Sequence, residues 1–201
     1  MQVRTFTGNA RRAQIIAATV RILGEHGYGQ TSFARIAKEA GLSSTRLISY
    51  HFAGKDELMS AVVGHVYGML GDFMTERVGP QPDARSRLRA YITGLVEFVA
   101  AHRSEMQALM TIFLSWREKT GESRSYGPEE ERSSLGHLEA ILRDGQSSGE
   151  FRAFDTFIMA ATVQRSLDGL PFLLQARPEL DLEAFARELA TTFDLATRSA
   201  S

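Results

Sequence analysis

Apolar residues recur every three or four positions along almost the whole chain, and no stretch shows the strict alternation of a half-buried strand. The pattern predicts a first helix over about Ala10–His26, closed by Gly27. Later helices are expected to follow Asp83, Asp155 and Asp181, because an aspartate side chain accepts hydrogen bonds from the free N–H groups of a helix start. We therefore predict an all-α chain of about nine helices.

Two very short helices are predicted directly after the first one. The earlier begins at Thr31 or Ser32 and ends at Gly41, and the later begins with Ser43 as its cap and ends near Phe52. Gly41 permits a sharp turn between them, and this order is typical of a helix-turn-helix unit. In such a unit the second helix presents its N-terminal residues to base edges in the major groove of DNA. The alternative is an αα-hairpin with a serine-rich surface.

Hydrogen-bonding side chains dominate the predicted outer side of the later helix, whereas Leu47, Ile48 and Phe52 are assigned to its packing side. Arg46 is suited to reading guanine. Lys55 lies at a helix start, where a DNA phosphate would also meet free backbone N–H groups. The candidate DNA-contact residues are Thr31, Ser32, Ser43, Ser44, Thr45, Arg46, Ser49, Tyr50, His51 and Lys55.

Charge is divided unevenly along the chain. Residues 1–60 contain eight basic and four acidic residues, and the remainder contains fifteen and twenty. This asymmetry favours DNA contact by the N-terminal part. The absence of cysteine excludes disulfides, thiolate chemistry and zinc sites built on sulfur. The N-terminus shows no signal-peptide pattern, and no apolar run approaches the roughly 18 residues of a membrane span, so a soluble cytoplasmic protein is expected.

The helix predicted over Ser104–Trp116 is apolar around nearly its whole circumference. Such a helix must be buried on all sides or line a cavity, and methionine and aromatic side chains suit an adaptable pocket for a lipophilic ligand. The candidate ligand-binding residues are Tyr91, Leu95, Phe98, His102, Met106, Met110, Phe113 and Trp116. The alternative for each of them is an ordinary position in the core.

Enzyme motifs are absent from the sequence, which has no phosphate loop, no nucleophile elbow and no His-Glu-x-x-His pattern. His65, His102 and His137 lie on different predicted helices and have no carboxylate at metal-binding spacing. We therefore expect no catalytic residue, no metal site and no cofactor.

Two apolar seams lie near the end of the chain. One is in a helix predicted over Asp155–Gln175, which Pro171 is expected to kink, and the other is in a helix over Asp181–Arg198. The seam residues considered for an interface with a second copy are Leu167, Leu170, Leu174, Phe185, Leu189 and Phe193. The pattern alone leaves both core and interface open.

The segment IIAATVRILGEHGYGQTSFARIAKEAGLSSTRLISYHFAGKDEL resembles the N-terminal domain of the TetR (tetracycline-repressor) family of transcription regulators. The shared features, within residues 11–58, include Gly27-Tyr28, Thr31-Ser32, Ile36-Ala37, Ala40-Gly41-Leu42-Ser43, Tyr50-His51-Phe52 and Lys55 with Leu58. The three residues between Ser43 and Leu47 are one more than the spacing usual in the family.

The resemblance implies a homodimer whose DNA-binding domain is residues 1–54 and whose ligand-binding and dimerisation domain is residues 55–201. It places the last two helices in the dimer interface. The matching positions imply base contacts from Ser44, Thr45 and Arg46. They also imply phosphate contacts from Ser32, Tyr50, His51 and Lys55.

These observations lead to the hypothesis of a ligand-responsive DNA-binding transcription regulator. In its most specific form it is a repressor, which a small lipophilic effector releases from a pseudo-palindromic operator in double-stranded DNA. The alternatives are an activator of the same fold, and a ligand-binding module or enzyme of this fold that has lost DNA binding. The helix starting at Asp56 is expected to couple the two domains because it joins them.

Overall fold

The computed structural model describes residues 2–119 and 128–199, with the side chains of 8–115 and 135–199. Every regular element in these ranges is helical, apart from an isolated β-bridge between Phe151 and Arg198. The elements are α1 (Gln2–His26), a 3-10 turn (Tyr28–Gln30), α2 (Phe33–Glu39), α3 (Arg46–His51), α4 (Lys55–Val78), α5 (Ala84–Ala101), α6 (Arg103–Lys119), α7 (Pro128–Ser147), α8 (Thr156–Asp168), α9 (Leu170–Ala176) and α10 (Leu182–Thr197). The predicted all-α class is confirmed.

Three predicted aspartate caps are present. Asp83 accepts from the backbone N–H of Ser86 at 2.7 Å. Asp155 and Asp181 accept from the N–H groups three residues after them, at 3.0 and 2.9 Å. Each cap satisfies a donor that the first turn of a helix leaves without an intrahelical partner. These helices therefore begin where short-range hydrogen bonding predicts.

Helix α1 begins well before the predicted start at Ala10. Its first residue is Gln2, so the helix continues through Gly8. A single glycine inside a helix costs only about 1 kcal/mol relative to alanine. It therefore weakens this turn without ending the helix.

The helix predicted over Asp155–Gln175 is two helices, which makes the expectation of a single kinked helix wrong. Helix α8 ends at Asp168, and α9 follows a single intervening residue, Gly169. Pro171 lies in the first turn of α9. Proline has no N–H to donate and its ring collides with the carbonyl four residues earlier, so it is accommodated at a helix start rather than inside a continuous helix. Counted as one interrupted helix, α8 and α9 bring the described total to nine.

The described helices form two compact units. The first unit contains α1–α3, the part of α4 up to Met69, and α6; the second contains α4 from Leu70, α5 and α7–α10. In the second unit α5 packs against α7, α8, α9 and α10. The packing boundary thus falls inside α4, while the functional boundary between residues 54 and 55 stays a prediction. No described helix is long and apolar enough to cross a membrane.

Candidate nucleic-acid interface

The turn between α2 and α3 has the sharp geometry that the sequence predicts. Gly41 has a φ of 61°, and its N–H donates to the carbonyl of Lys38 at 3.1 Å. The N–H of Leu42 reaches the carbonyl of Ala37 at 2.8 Å. This pair of bonds is a Schellman motif, which favours glycine at the left-handed position. Leu42 then packs partly buried against the core of the first unit.

Helix α3 is shorter than predicted, and Ser43 does not cap it. The helix begins at Arg46, whose backbone N–H is accepted by the Ser44 hydroxyl at 3.1 Å. Thr45 occupies the cap position without a side-chain cap bond. Ser43 cannot cap because residues 43–45 form the end of the turn rather than the first helical turn. Of the three residues between Ser43 and Leu47, Ser44 and Thr45 therefore belong to the connection between α2 and α3, and Arg46 is the first residue of the helix.

The outer surface of α3 exposes most of the predicted DNA-contact side chains. Ile48 and Phe52 are buried in the core of the first unit, as expected. His51 is half-buried, while the exposed candidates in and before the helix are Ser43, Ser44, Thr45, Arg46, Ser49 and Tyr50. Leu47 is 36% exposed, so its assignment to the packing side was wrong. A helix of six residues has room for few inward positions; Ile48 occupies one, and Phe52, directly after the helix, fills the core beside it.

The two hydroxyls before α2 have different environments. Thr31 is buried, and its hydroxyl donates to the carbonyl of Gly27 at 2.8 Å. The expectation that Thr31 contacts DNA is therefore corrected, because its side chain is buried and its hydroxyl is used inside the unit. Ser32 is exposed and accepts from the backbone N–H of Arg35 at 3.3 Å, so it is the cap of α2.

Lys55 is already engaged with the 3-10 turn. Its Nζ donates to the carbonyl of Tyr28 at 3.1 Å and lies 3.9 Å from the centre of the Tyr28 ring. Burial, and secondarily the charge of Asp56, raises the pKa of Tyr28, which keeps the phenol neutral. Lys55 thus ties the start of α4 to the turn that precedes α2, in addition to any contact it makes with DNA.

Arg12 is a positioning residue that the sequence patterns did not reveal. Its Nη1 donates to the carbonyl of His51 at 2.8 Å, and its guanidinium lies 4.2 Å from the centre of the Phe52 ring. It also lies 3.6 Å from the carboxylate of Glu57. Arg12 therefore holds the end of α3 and the start of α4 against α1. Its partners are 39 or more residues away in sequence, so no local spacing marks it.

The basic side chains of the first unit fall into two groups. Arg12 and Arg21 form ion pairs with acidic residues, the latter with Glu39 at 2.7 Å. Within the described side chains no ion pair is found for Arg35, Lys38 or Arg46, which are all exposed. These three cations of α2 and α3 are available to an external anion, and among the described side chains Arg11 of α1 and Arg103 of α6 also form no ion pair.

Helix α6 completes the core of the first unit. Ala108 and Ile112 are fully buried in the same apolar cluster as α1–α3 and the start of α4. Gly24 of α1 allows a close approach, because a methyl group there would lie 3.4 Å from the backbone oxygen of Ser104. The sequence predicts a ligand-lining role for α6 but does not indicate this packing. Only the folded chain brings these distant residues together.

The candidate ligand-binding residues are divided between the two units. Tyr91, Leu95 and Phe98 belong to the second unit, and the hydroxyl of Tyr91 donates to Oε1 of Gln164 at 2.7 Å. The candidates in the first unit, all half-buried, are His102, Met106, Met110 and Phe113. The side chain of Trp116 lies outside the described residues. A common pocket for these residues stays a prediction.

The second unit also contains a surface cleft of about 590 Å³, which is different from the predicted pocket. Its lining residues are Asp83, Arg85, Ser86, Leu88, Arg89, Glu150, Ala190, Thr191 and Asp194. Arg85 donates from Nη2 to Asp194 at 2.8 Å, and Glu150 accepts from two backbone N–H groups of α5. The lining is therefore rich in charged side chains, of which Arg85 and Asp194 pair with each other and Glu150 binds backbone N–H groups, so the cleft is unsuited to a lipophilic ligand.

Most of the residues considered for the dimer interface lie in the core of the second unit. Leu167, Leu170, Leu174 and Phe193 are buried within this unit, which favours the core over the interface for these four residues. Phe185 and Leu189 are half-buried. The same helices expose other large apolar side chains, namely Phe157, Ile158, Phe172, Leu173 and Leu195. Helical spacing marked an apolar seam but did not distinguish its inner from its outer residues.

Comparison with known proteins matches residues 15–62 to the family described as bacterial regulatory proteins, tetR family. An HTH-type transcriptional regulator BetI from Burkholderia ambifaria is 37% identical over 107 residues, which are 53% of this chain and 51% of that protein. Its counterpart from Burkholderia mallei is 36% identical over the same length. The chain thus spans about half the length of the curated relatives it matches.

Solved structures share the fold over nearly the whole chain. The fatty acid degradation regulator FadR from Bacillus halodurans has a TM-score of 0.78 at 23% identity, covering 92% of this chain and 94% of that one. A TetR transcription regulator from Haloarcula marismortui has a TM-score of 0.81 at 21% identity, covering 95% and 100%. AibR, solved in complex with isovaleryl coenzyme A and operator DNA, has a TM-score of 0.74 at 19% identity, covering 90% and 97%.

Proposed function

We propose that this protein, whose residues 15–62 match the tetR family of bacterial regulatory proteins, is a member of that family and a ligand-responsive DNA-binding transcription regulator. The observation that carries the proposal is the geometry of α3. Ile48 and Phe52 anchor the helix in the core, while Arg46, Ser49 and Tyr50 are exposed on its other side. A short helix held in this way after a sharp turn is suited to the major groove.

In the proposed complex, α3 enters the groove with its N-terminal end toward the bases. Ser44, Thr45 and Arg46 are the base-contacting side chains, with Arg46 donating two hydrogen bonds to a guanine. Contacts from Ser32, Tyr50, His51 and Lys55 to phosphates orient the helix without reading sequence. Arg12 makes no DNA contact in this proposal; it fixes the end of α3 from behind.

The proposed regulator binds its operator as a homodimer. Two copies of α3 about 34–36 Å apart would enter successive major grooves of a pseudo-palindromic site. The exposed apolar side chains of α8 and α9, such as Ile158 and Phe172, support an interface on these helices. Sedimentation of the purified chain at micromolar concentration should show a dimer, and a monomer there would contradict this part of the proposal.

The proposed effector is a small lipophilic molecule that releases the protein from its operator in the cytoplasm. Helix α6 supports this coupling, because it carries Met106, Met110 and Phe113 as candidate ligand contacts and Ala108 and Ile112 in the core beneath α1–α3. A ligand must favour one state by about 5.5 kcal/mol to move an equilibrium from 1:99 to 99:1. No catalytic role is assigned, in keeping with relatives named as transcriptional regulators.

A gel-shift titration with duplexes from the protein's own promoter region tests DNA binding. We expect salt-sensitive binding, because phosphate contacts release counterions. Arg46→Ala should cost about 1–3 kcal/mol at one base pair and relax specificity there, whereas Lys55→Ala should weaken binding to all sequences alike. Thermal unfolding of the Lys55 variant separates this effect from loss of its contact with Tyr28.

Arg177→Ala is the matched control, because Arg177 is an exposed arginine of the second unit. Its operator affinity should equal that of the unmodified chain. If no duplex binds in a salt-dependent way, the proposed function is wrong. If the Arg46 and Lys55 variants lose affinity equally for all sequences, the assignment of Arg46 as a base reader is wrong.

A further inference from the structure

Two large apolar side chains are exposed on the six-residue helix α3. Leu47 is 36% exposed and Tyr50 is 83% exposed. The core does not need them, because Ile48 and Phe52 are the α3-side residues buried in the apolar cluster of the first unit. The exposed surface of α3 is therefore not uniformly polar.

Helix geometry places Leu47 and Tyr50 side by side on α3, with Arg46 next to Tyr50 and His51 next to Leu47. Successive residues advance by about 100° around a helix, so Leu47 and Tyr50, three positions apart, are neighbours on one strip. Arg46 lies four positions before Tyr50, so these two side chains are also neighbours on the helix surface. Ser49 follows on the other side of Arg46. The outer surface of α3 thus presents the Leu47 side chain and the ring of Tyr50 beside the hydrogen-bonding groups of Arg46 and Ser49, and the hydroxyl of Tyr50 stays free to contact a phosphate.

Base edges in the major groove offer one apolar group that suits such a strip. Thymine alone presents a C5-methyl group there, whereas the other base-edge groups are hydrogen-bond donors and acceptors. Apolar side chains that contact this methyl group distinguish A·T from the other base pairs. We propose that Leu47, flanked by Tyr50, contacts the C5-methyl group of a thymine adjacent to the base read by Arg46. The proposal rests on the proposed DNA-binding function and adds a residue that determines specificity.

Replacement of thymine by deoxyuridine tests this contact, because it removes only the methyl group. The full-length protein is first used to select its preferred duplex from a random library, and each thymine is then replaced in turn. At one thymine per half-site, deoxyuridine should weaken binding of the unmodified protein about fourfold, which corresponds to ~0.8 kcal/mol for one buried methyl group. Fluorescence anisotropy at fixed salt measures the change.

The same duplex pairs measured with variants connect the methyl group to Leu47. In Leu47→Ala the loss at that thymine should disappear, whereas Arg46→Ala should keep it while losing affinity at its own base. Leu114→Ala is the matched control, since Leu114 is also an exposed leucine of the first unit, 52% exposed; it should behave as the unmodified protein does. Thermal unfolding of Leu47→Ala, whose side chain is partly covered in the folded chain, should show only a small loss of stability and a cooperative transition, so that its effect on binding is not caused by unfolding.

The outcomes separate this inference from the function on which it rests. If the protein binds a selected duplex and every deoxyuridine is neutral, the contact with a thymine methyl group is wrong while DNA binding stands. If deoxyuridine weakens DNA binding by the unmodified protein and by the Leu47→Ala variant equally, Leu47 is not the contacting residue. If no duplex is bound, both the function and the inference are wrong.

Discussion

Gly145 and Gly136 both lie in helix α7, but a methyl group added at each position would meet different surroundings. At Gly145 it would overlap the buried ring of Phe151, whose backbone N–H donates to the carbonyl of Gly145 at 2.9 Å. At Gly136 no atom lies within 4 Å. We expect Gly145→Ala to lower the free energy of unfolding by about 1–3 kcal/mol through overpacking.

Gly136→Ala provides the matched comparison in the same helix. It should raise the free energy of unfolding by up to about 1 kcal/mol, because alanine is the better helix former. Urea unfolding followed by circular dichroism measures both variants. A change of the same sign in the two would show that the ring of Phe151 does not restrict the first position.

Residue-level prediction from the sequence succeeded where the partner is close in the chain. Asp83, Asp155 and Asp181 act on N–H groups three residues away, so their roles follow from local spacing. Thr31 and Leu47 were misassigned because their exposure is decided by residues elsewhere in the fold. A hydroxyl before a helix can bind a phosphate or a preceding carbonyl, and the sequence does not distinguish these partners.

The start of helix α5 is held by several hydrogen bonds. The backbone N–H groups of Ala84 and Arg85 donate to the two carboxylate oxygens of Glu150, at 3.3 and 3.1 Å. Asp83 caps the next free donor, that of Ser86. Glu150 could not be predicted, because 65 residues separate it from Arg85. It thereby joins the loop after α7 to the helix around which the second unit packs.

The carboxyl groups of Asp83, Glu150 and Asp194, which bind groups at the start of α5, make the stability of the fold depend on pH. A hydrogen bond from the backbone N–H of Ser86 lowers the pKa of Asp83, and a hydrogen bond from Arg85 lowers the pKa of Asp194. Burial acts to raise the pKa of Glu150, but the hydrogen bonds to its oxygens outweigh burial and lower it overall. A carboxyl group whose pKa is lower in the folded chain stabilises the fold above its unfolded pKa and ceases to do so as pH falls through the folded value.

We therefore expect the free energy of unfolding to hold above about pH 5 and to fall from there toward pH 3. The Glu150→Gln variant should have a lower free energy of unfolding at pH 7. It should also lose less of that free energy on acidification, because glutamine has no carboxylate to take up a proton at this position. Urea unfolding across this range gives both quantities. Glu179→Gln, an exposed position outside the cluster, should follow the unmodified chain. An equal acid slope in Glu150→Gln and the unmodified chain would contradict the assignment.

For the whole molecule, the all-α class and the helix-turn-helix order followed from the sequence, whereas the composition of the first unit did not. Helical periodicity is a property of each segment, so the elements could be predicted one at a time. Periodicity does not say which apolar faces meet. The sequence left open whether the apolar residues of α6 line a cavity or lie in the core, and Ala108 and Ile112 lie in the core beneath α1–α3. Its remaining apolar residues stay candidates for ligand contact.

Ile112 provides the test of this shared core. Ile112→Ala should lower the free energy of unfolding by about 2–5 kcal/mol, because it opens a cavity among fully buried side chains. Leu114→Ala, on the exposed side of the same helix, should change it by less than about 0.5 kcal/mol. Thermal unfolding compares the two variants, and equal effects would show that α6 does not complete the core.

The burial of Ala108 and Ile112 in this core also determines which segments can be exchanged between this protein and another regulator in a chimaera. A chimaera that replaced only residues 1–69 would set a foreign apolar surface against these two side chains. Transplantation of residues 1–69 alone into another regulator would likewise expose part of the core of α1–α3 to water. The part of the chain that can be exchanged as a unit is therefore discontinuous in sequence. A chimaera that still folds must include α6 together with the N-terminal helices, or must replace Ala108 and Ile112 with residues that fit the foreign N-terminal helices.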